Sequence, residues 1–150
     1  MNESLNSKLP SEDIPEDSML HQMGSMSAAM LGGSNFKMKK LQGSGYMVQF
    51  DKDGATELHH VDDSLQGGYI KGNQPSLRMI GTYRSHIKDI LDSGKKVRIV
   101  AHHKLADSFH RITKAIVDKN PGYKISPVAD TEHEITGDKL KSWELSRKST

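Results

Sequence analysis

The sequence predicts an α/β protein: a small mixed sheet in a β-β-α-β-α-β body with two packed helices, preceded by a mobile N-terminal helix. Three observations predict it. Two extended runs, Tyr46–Phe50 and Ala55–Val61, flank Asp51-Lys52-Asp53-Gly54, the signature of a β-hairpin. Ile80, Tyr83, Ile87, Ile90 and Leu91, and then Leu105, Phe109, Ile112 and Ile116, recur at the spacing of a helix with one apolar face. Between them, Val97-Arg98-Ile99-Val100-Ala101 is short and β-branched, as a buried strand is. A chain of 150 residues suffices for one core of ordinary size, so these segments are expected to share it.

Taken in order, residues 1–14 are polar and acidic, hold too few apolar groups to offset the entropy of ordering them, and are expected to be disordered. A helix is predicted over 15–31. Pro15 suits a first helical position, Glu16 and Asp17 favour the positive end of the helix dipole, and Gly32-Gly33 ends the run. Its apolar face comprises Met19, Met23, Met26 and Met30 with Leu20 and Leu31, leaving His21, Gln22, Ser25 and Ser27 to look outward. Residues 32–45, rich in glycine and carrying Lys37, Lys39 and Lys40, read as a flexible linker. The α/β domain occupies 46–128. Its hairpin leads to a loop marked by Gly67, Gly68, Gly72 and Pro75, then to a helix that Gly94 ends. The second helix, whose stripe includes Ala106 and Val117, stops at Asn120-Pro121-Gly122. Tyr123–Val128 is the last strand, expected to lie parallel to 97–101 with a helix packed across the pair. Residues 129–150 carry one Trp and little periodicity, and form either a loose tail or a short terminal helix.

The composition bounds the function. Lys and Arg total 21 against 19 Asp and Glu, a net charge of +2 that announces neither a nucleic acid nor a membrane as partner. With no cysteine there is no disulfide framework, thiolate chemistry or Cys-ligated zinc, in keeping with a reducing cytoplasm. The N-terminus lacks the basic start and apolar run of a secretory signal, and no stretch approaches the roughly 20 apolar residues of a membrane span. The expectation is a soluble, cytoplasmic protein.

The methionine stripe is the most informative feature. Met19, Met23, Met26 and Met30 fall at a 4-3-4 spacing along one helix face, and methionine is the adaptable residue of binding surfaces. With Leu20 and Leu31 they are the candidate partner-binding residues. The partner is another protein or a second copy of the chain, or else the same face packs within the chain. The histidines are weaker candidates. His59-His60 with Asp62-Asp63 would converge only in part on a strand, where His60 and Asp62 point one way and His59 the other. His102 and His103 follow a strand end, where α/β sheets bind ligands. His103, Asp107 and His110 share a helix face opposite Phe109 and Ile112. His102, His103 and His110 are thus the alternative metal-binding set for a hydrolase, and a solvated polar face is the preferred reading of them. Lys104, Arg111 and Lys114 form a basic face that suits nucleic-acid phosphates, but Asp107 and Asp118 interrupt it and no aromatic residue interleaves with it. Neither a Walker nor a dinucleotide-binding pattern occurs. The residues therefore point to a non-enzymatic binding protein with no cofactor.

The hairpin from Tyr46 to Val61, the helix after it, the strand Lys96-Val97-Arg98-Ile99-Val100, the helix opening Leu105-Ala106-Asp107-Ser108-Phe109 and the closing strand near Lys124-Ile125-Ser126 cover residues 46–128. Together they resemble the large polyvalent-protein-associated domain appended to plasmid mobilisation relaxases. The chain departs from that family after its first central strand, carrying Ala101-His102-His103 where the family tends to have a glycine-containing turn. The resemblance implies an accessory module of a mobile genetic element or type IV secretion system. It assigns no catalytic residue and transfers no site.

Overall fold

The computed structural model describes residues 8–61, 77–103, 105–133 and 137–148. Residues 1–7 and the loop marked by Gly67, Gly68, Gly72 and Pro75 lie outside the described residues. The order of elements is β1 (Ser11–Asp13), α1 (Met19–Met30), β2 (Ser34–Leu41), β3 (Tyr46–Lys52), β4 (Ala55–Val61), α2 (Leu77–Asp92), β5 (Lys96–His102), α3 (Ala106–Lys119), β6 (Tyr123–Ile125), β7 (Ala129–Glu132) and β8 (Lys139–Arg147). The β-β-α-β-α-β body is therefore present as β3-β4-α2-β5-α3-β6. All eight strands join one sheet in the order β1-β2-β3-β4-β5-β8-β6, with β7 also on β8. Among the described residues, no helix is long and apolar enough to cross a membrane.

The hairpin forms where the sequence placed it. Lys52 pairs with Ala55, and the two-residue turn puts Asp53 at φ 50° and Gly54 at φ 80°. Both angles lie in the left-handed region of a type I′ turn, which Asp-Gly tolerates at little cost. β4 then pairs parallel with β5, and α2 makes the crossover between them. Alternation along the strands divides the sheet's two faces. Leu58, Val97, Ile99, Trp143 and Leu145 turn to the side where α2 supplies Tyr83, Ile87 and Leu91 and α3 supplies Phe109, Ile112 and Ile116, forming the main core. Buried polar groups within it bond to one another. Trp143 Nε1 donates to Thr113 Oγ1 at 2.9 Å, and Thr113 Oγ1 donates to backbone carbonyls one turn back along α3.

Four segments differ from the sequence expectation. Residues 34–41, read as part of a linker over 32–45, form β2, because Phe36-Lys37-Met38-Lys39-Lys40-Leu41 nearly alternates apolar and basic residues and pairs along β3. Ser11–Asp13, within the stretch expected to be disordered, adds a short edge strand to β2. The larger correction is the tail. Residues 139–147 form neither a loose end nor a helix but β8, which inserts between β5 and β6. Both neighbours run antiparallel to β8, so β5 and β6 share a direction without touching. Trp143 and Leu145, 2% and 0% exposed, drive the insertion, since their alternate positions put two large apolar side chains into the core. Of the expected strand 123–128 only Tyr123–Ile125 forms, as β6, and a further strand, β7, follows past Pro127 within the expected tail, both pairing with β8.

The N-terminal helix is also docked instead of standing free. It starts later than expected, at Met19, where the Ser18 hydroxyl accepts from the His21 amide at 3.2 Å. It ends as expected. Gly32, at φ 87°, donates to Ala29 O, and Gly33 donates to Ala28 O, the paired bonds of a Schellman cap. The side that meets the sheet is formed by His21, Gly24, Ala28 and Leu31, and His21, expected to look outward, is buried edge-on against Phe36. Small residues permit this approach. A Cβ at Gly24 would lie 2.4 Å from the Phe36 ring, and one at Gly33 2.5 Å from that of Phe50. α1 thus covers β2 and β3 on the face opposite α2 and α3.

If β8 is an integral strand of the core, Leu145→Ala lowers the unfolding free energy in urea by about 2–5 kcal/mol, the usual cost of emptying a buried leucine site. A loss below about 1 kcal/mol would make the strand peripheral.

Candidate interaction surface and groove

Because α1 rests on its small side, its methionines are turned away from the protein. Met19, Met23, Met26 and Met30 are 76%, 60%, 68% and 77% exposed. Leu20 and Leu31, on the flank of the helix, are half-buried. No residue from Met19 to Leu31 carries a formal charge other than a protonated His21, and His21 is buried. The exposed strip is therefore apolar and bordered by Gln22, Ser25 and Ser27.

Beside the same helix lies a groove of about 470 Å³, walled by Leu20, Ala28 and Leu31 of α1 and floored by the sheet's second face, with Val48, Phe50, Val61, Val100 and Leu140 among its lining. Its outer rim is Thr131, Glu132 and His133. Strand register explains the floor. Phe50 is opposite Glu57, Glu57 opposite Arg98 and Arg98 opposite Glu144, so one row of side chains crosses four strands. Arg98 Nη1 donates to Glu57 Oε2 at 2.8 Å and to the Lys52 carbonyl at 3.2 Å, while Nε and Nη2 donate to Glu144 Oε2 at 3.0 and 2.9 Å. The other Glu57 oxygen accepts from His59 Nε2 at 2.9 Å, and the His59 ring stacks on Phe50. Burial alone would raise the Glu57 carboxyl. The hydrogen bond and charge interaction with His59, followed by those with Arg98, outweigh burial and hold Glu57 below its ordinary 4.5. Burial likewise disfavours the charged Arg98, and its bonds to Glu57 and Glu144 raise it overall.

The sequence candidates are dispersed. His60, buried on the helix side, pairs through Nδ1 with the Tyr83 hydroxyl, whereas His59 faces the groove, as alternation along the strand requires. Asp62, Asp63 and Lys104 lie outside the described residues. His102 is buried at the end of β5 with its ring 4.3 Å from that of His103. His110 sits on α3 with its ring edge-on against Trp143, so it does not share a solvent face with His103, which precedes the helix. Among the described residues, no group of three or more His, Cys, Asp or Glu side chains is gathered so as to hold a metal ion. Arg111 and Lys114 are exposed on α3, on the opposite side of the sheet from the groove. The floor network and the groove were missed in the sequence. The usable signal was Glu57, the one carboxylate of β4, and Arg98, a cation between Val97 and Ile99, whose pairing becomes visible only once β4 and β5 are in register.

No family model, no curated protein and no solved structure matches the chain.

A depressed Glu57 pKa gives folding a specific acid dependence. Its carboxylate stabilises the folded state fully above 4.5, and that contribution fades as pH falls through the lower folded value. Asp51, also held low by Asn35 and Thr56 against its burial, acts in the same sense. Glu57→Gln removes the Glu57 part, so its denaturation free energy changes less than that of the unaltered chain between about pH 5 and pH 3. Parallel curves for the two proteins would show that the Glu57 network does not hold in solution.

Proposed function

We propose that the chain is a non-enzymatic protein-binding module whose docking surface is the exposed face of α1. The observation that carries this reading is the exposure of four methionines in register on a helix that is anchored by its other side. Anchoring matters because an already ordered helix loses little further entropy on binding. The 4-3-4 spacing is that of alternating core positions in a pair of packed helices, so the complementary element is an apolar helix, from another protein or from a second copy of this chain. Burying a methionine is worth about 1.5–3 kcal/mol. Four of them give roughly 6–12 kcal/mol before the cost of association, itself about 4–15 kcal/mol, which suits a reversible contact instead of a permanent one. The resemblance of residues 46–128 to the relaxase-associated domain adds a setting, an accessory role in a mobile-element or type IV secretion assembly.

Met23→Asp with Met26→Asp tests the reading. Both side chains are exposed, so the double variant keeps its stability within about 0.5 kcal/mol. Sedimentation of the purified chain and cross-linked capture from a nuclease-treated lysate are expected to show at least a tenfold loss of whichever association the unaltered chain makes. Unchanged capture and unchanged oligomeric state in the folded double variant would refute the assignment.

A further inference from the structure

The groove beside α1 shares Met23 with the methionine face, but its floor belongs to the sheet, and its two ends differ. Along β8, Glu144 is paired with Arg98 at one end, and Leu140 is paired with Thr131 toward the other. The separation is four residues of strand, or about 13 Å at ~3.3 Å per residue. Apolar side chains line this length, including Val48, Val61, Val100 and Leu140.

At the Arg98 end, the acceptors within the groove are already committed. One oxygen of Glu57 receives His59 and the other receives Arg98. What remains there is donor capacity. Lys52 projects into the groove from the same strand face as Phe50, and among the described residues its ammonium has neither a hydrogen bond nor an ion pair. The Arg98 bond to the Lys52 carbonyl holds the Lys52 backbone at the charged end. An apolar channel with an uncommitted cation at one end is complementary to an amphipathic anion.

We propose that the groove binds a free, unbranched alkyl carboxylate, with its chain along the apolar floor between α1 and β8 and its carboxylate on the Lys52 ammonium. The ligand is a monomeric acid and not a membrane surface, because the floor is recessed behind α1 on one side and the Thr131–His133 rim on the other.

The test uses the full chain with decanoate, decanol and decylamine as probes, each below its micellar concentration, titrated calorimetrically. The expected result is saturable one-to-one binding of decanoate, at least tenfold tighter than either other probe. Lys52→Met is expected to bring decanoate down to the affinity of decanol while leaving decanol unaffected, and Lys52→Arg to restore the preference. Ser27→Phe, at an exposed position on the α1 wall, should weaken all binding by narrowing the entrance. The proposal is overturned by absence of saturable decanoate binding in the folded chain, by equal affinity for decanoate and decylamine, or by an unchanged decanoate preference in Lys52→Met. Binding only to vesicles that contain the acid, and not to the monomer, overturns it as well. Met23 lines the groove as well as belonging to the methionine face, whereas Lys52 lies on β3 outside that face, so the Lys52 variants separate this test from that of the protein-binding reading.

Discussion

The approach of α1 to the sheet through glycine and alanine is the contact on which the exposed surfaces depend. A sheet has two faces, and α2 and α3 cover one of them. On the other, Phe36 and Phe50 rise from β2 and β3, and only a helix side without bulk can settle between them. Gly24, Ala28 and the cap residue Gly33 provide that side. Because a helix turns once in 3.6 residues, fixing these positions inward forces Met19, Met23, Met26 and Met30 outward. The same placement makes α1 a wall of the groove.

This arrangement reverses the usual logic of an amphipathic helix, in which the most apolar stripe is the one buried. The buried stripe of α1 is small and partly polar, with His21 lying edge-on against Phe36. The stripe left in water is the more apolar of the two. Such an inversion costs solubility and gains no packing within the chain, which is why it bears on function in a way that four scattered methionines would not. Across the groove, the row from Phe50 to Glu144 shows a second compromise. Glu57 and Arg98 occupy floor positions that apolar residues could fill, and they remain ionised there because each satisfies the other through hydrogen bonds.

Much of the body was legible in the sequence because its signals are local. Asp53-Gly54 specifies the hairpin turn, the stripes of α2 and α3 have the helical period, and Gly94 and Asn120 mark real ends. The strands β2 and β8 were not legible, for two reasons. In β2 the lysines and nearby glycines suggested a linker by composition, although Phe36, Met38 and Leu41 sit among lysines in near alternation. In β8, Trp143 and Leu145 are flanked by Lys141, Ser142, Glu144 and Ser146, a pattern that reads as polar until one face is known to be covered. The methionine stripe could be found from spacing alone. Its direction could not, because the decision rests on Gly24 and Phe36 meeting across a long-range contact, and the groove inherits that dependence.

Native-state hydrogen exchange across α1 addresses the docking directly. A helix anchored through Gly24 and Ala28 exchanges the amides of Met23 to Met30 only through openings shared with β2 and β3, so their protection should match that of the adjoining strands. Protection near that of an unstructured peptide, with the sheet amides still slow, would contradict the account: α1 would then not be held on the sheet, and neither the outward methionine face nor the groove wall would exist as a fixed surface.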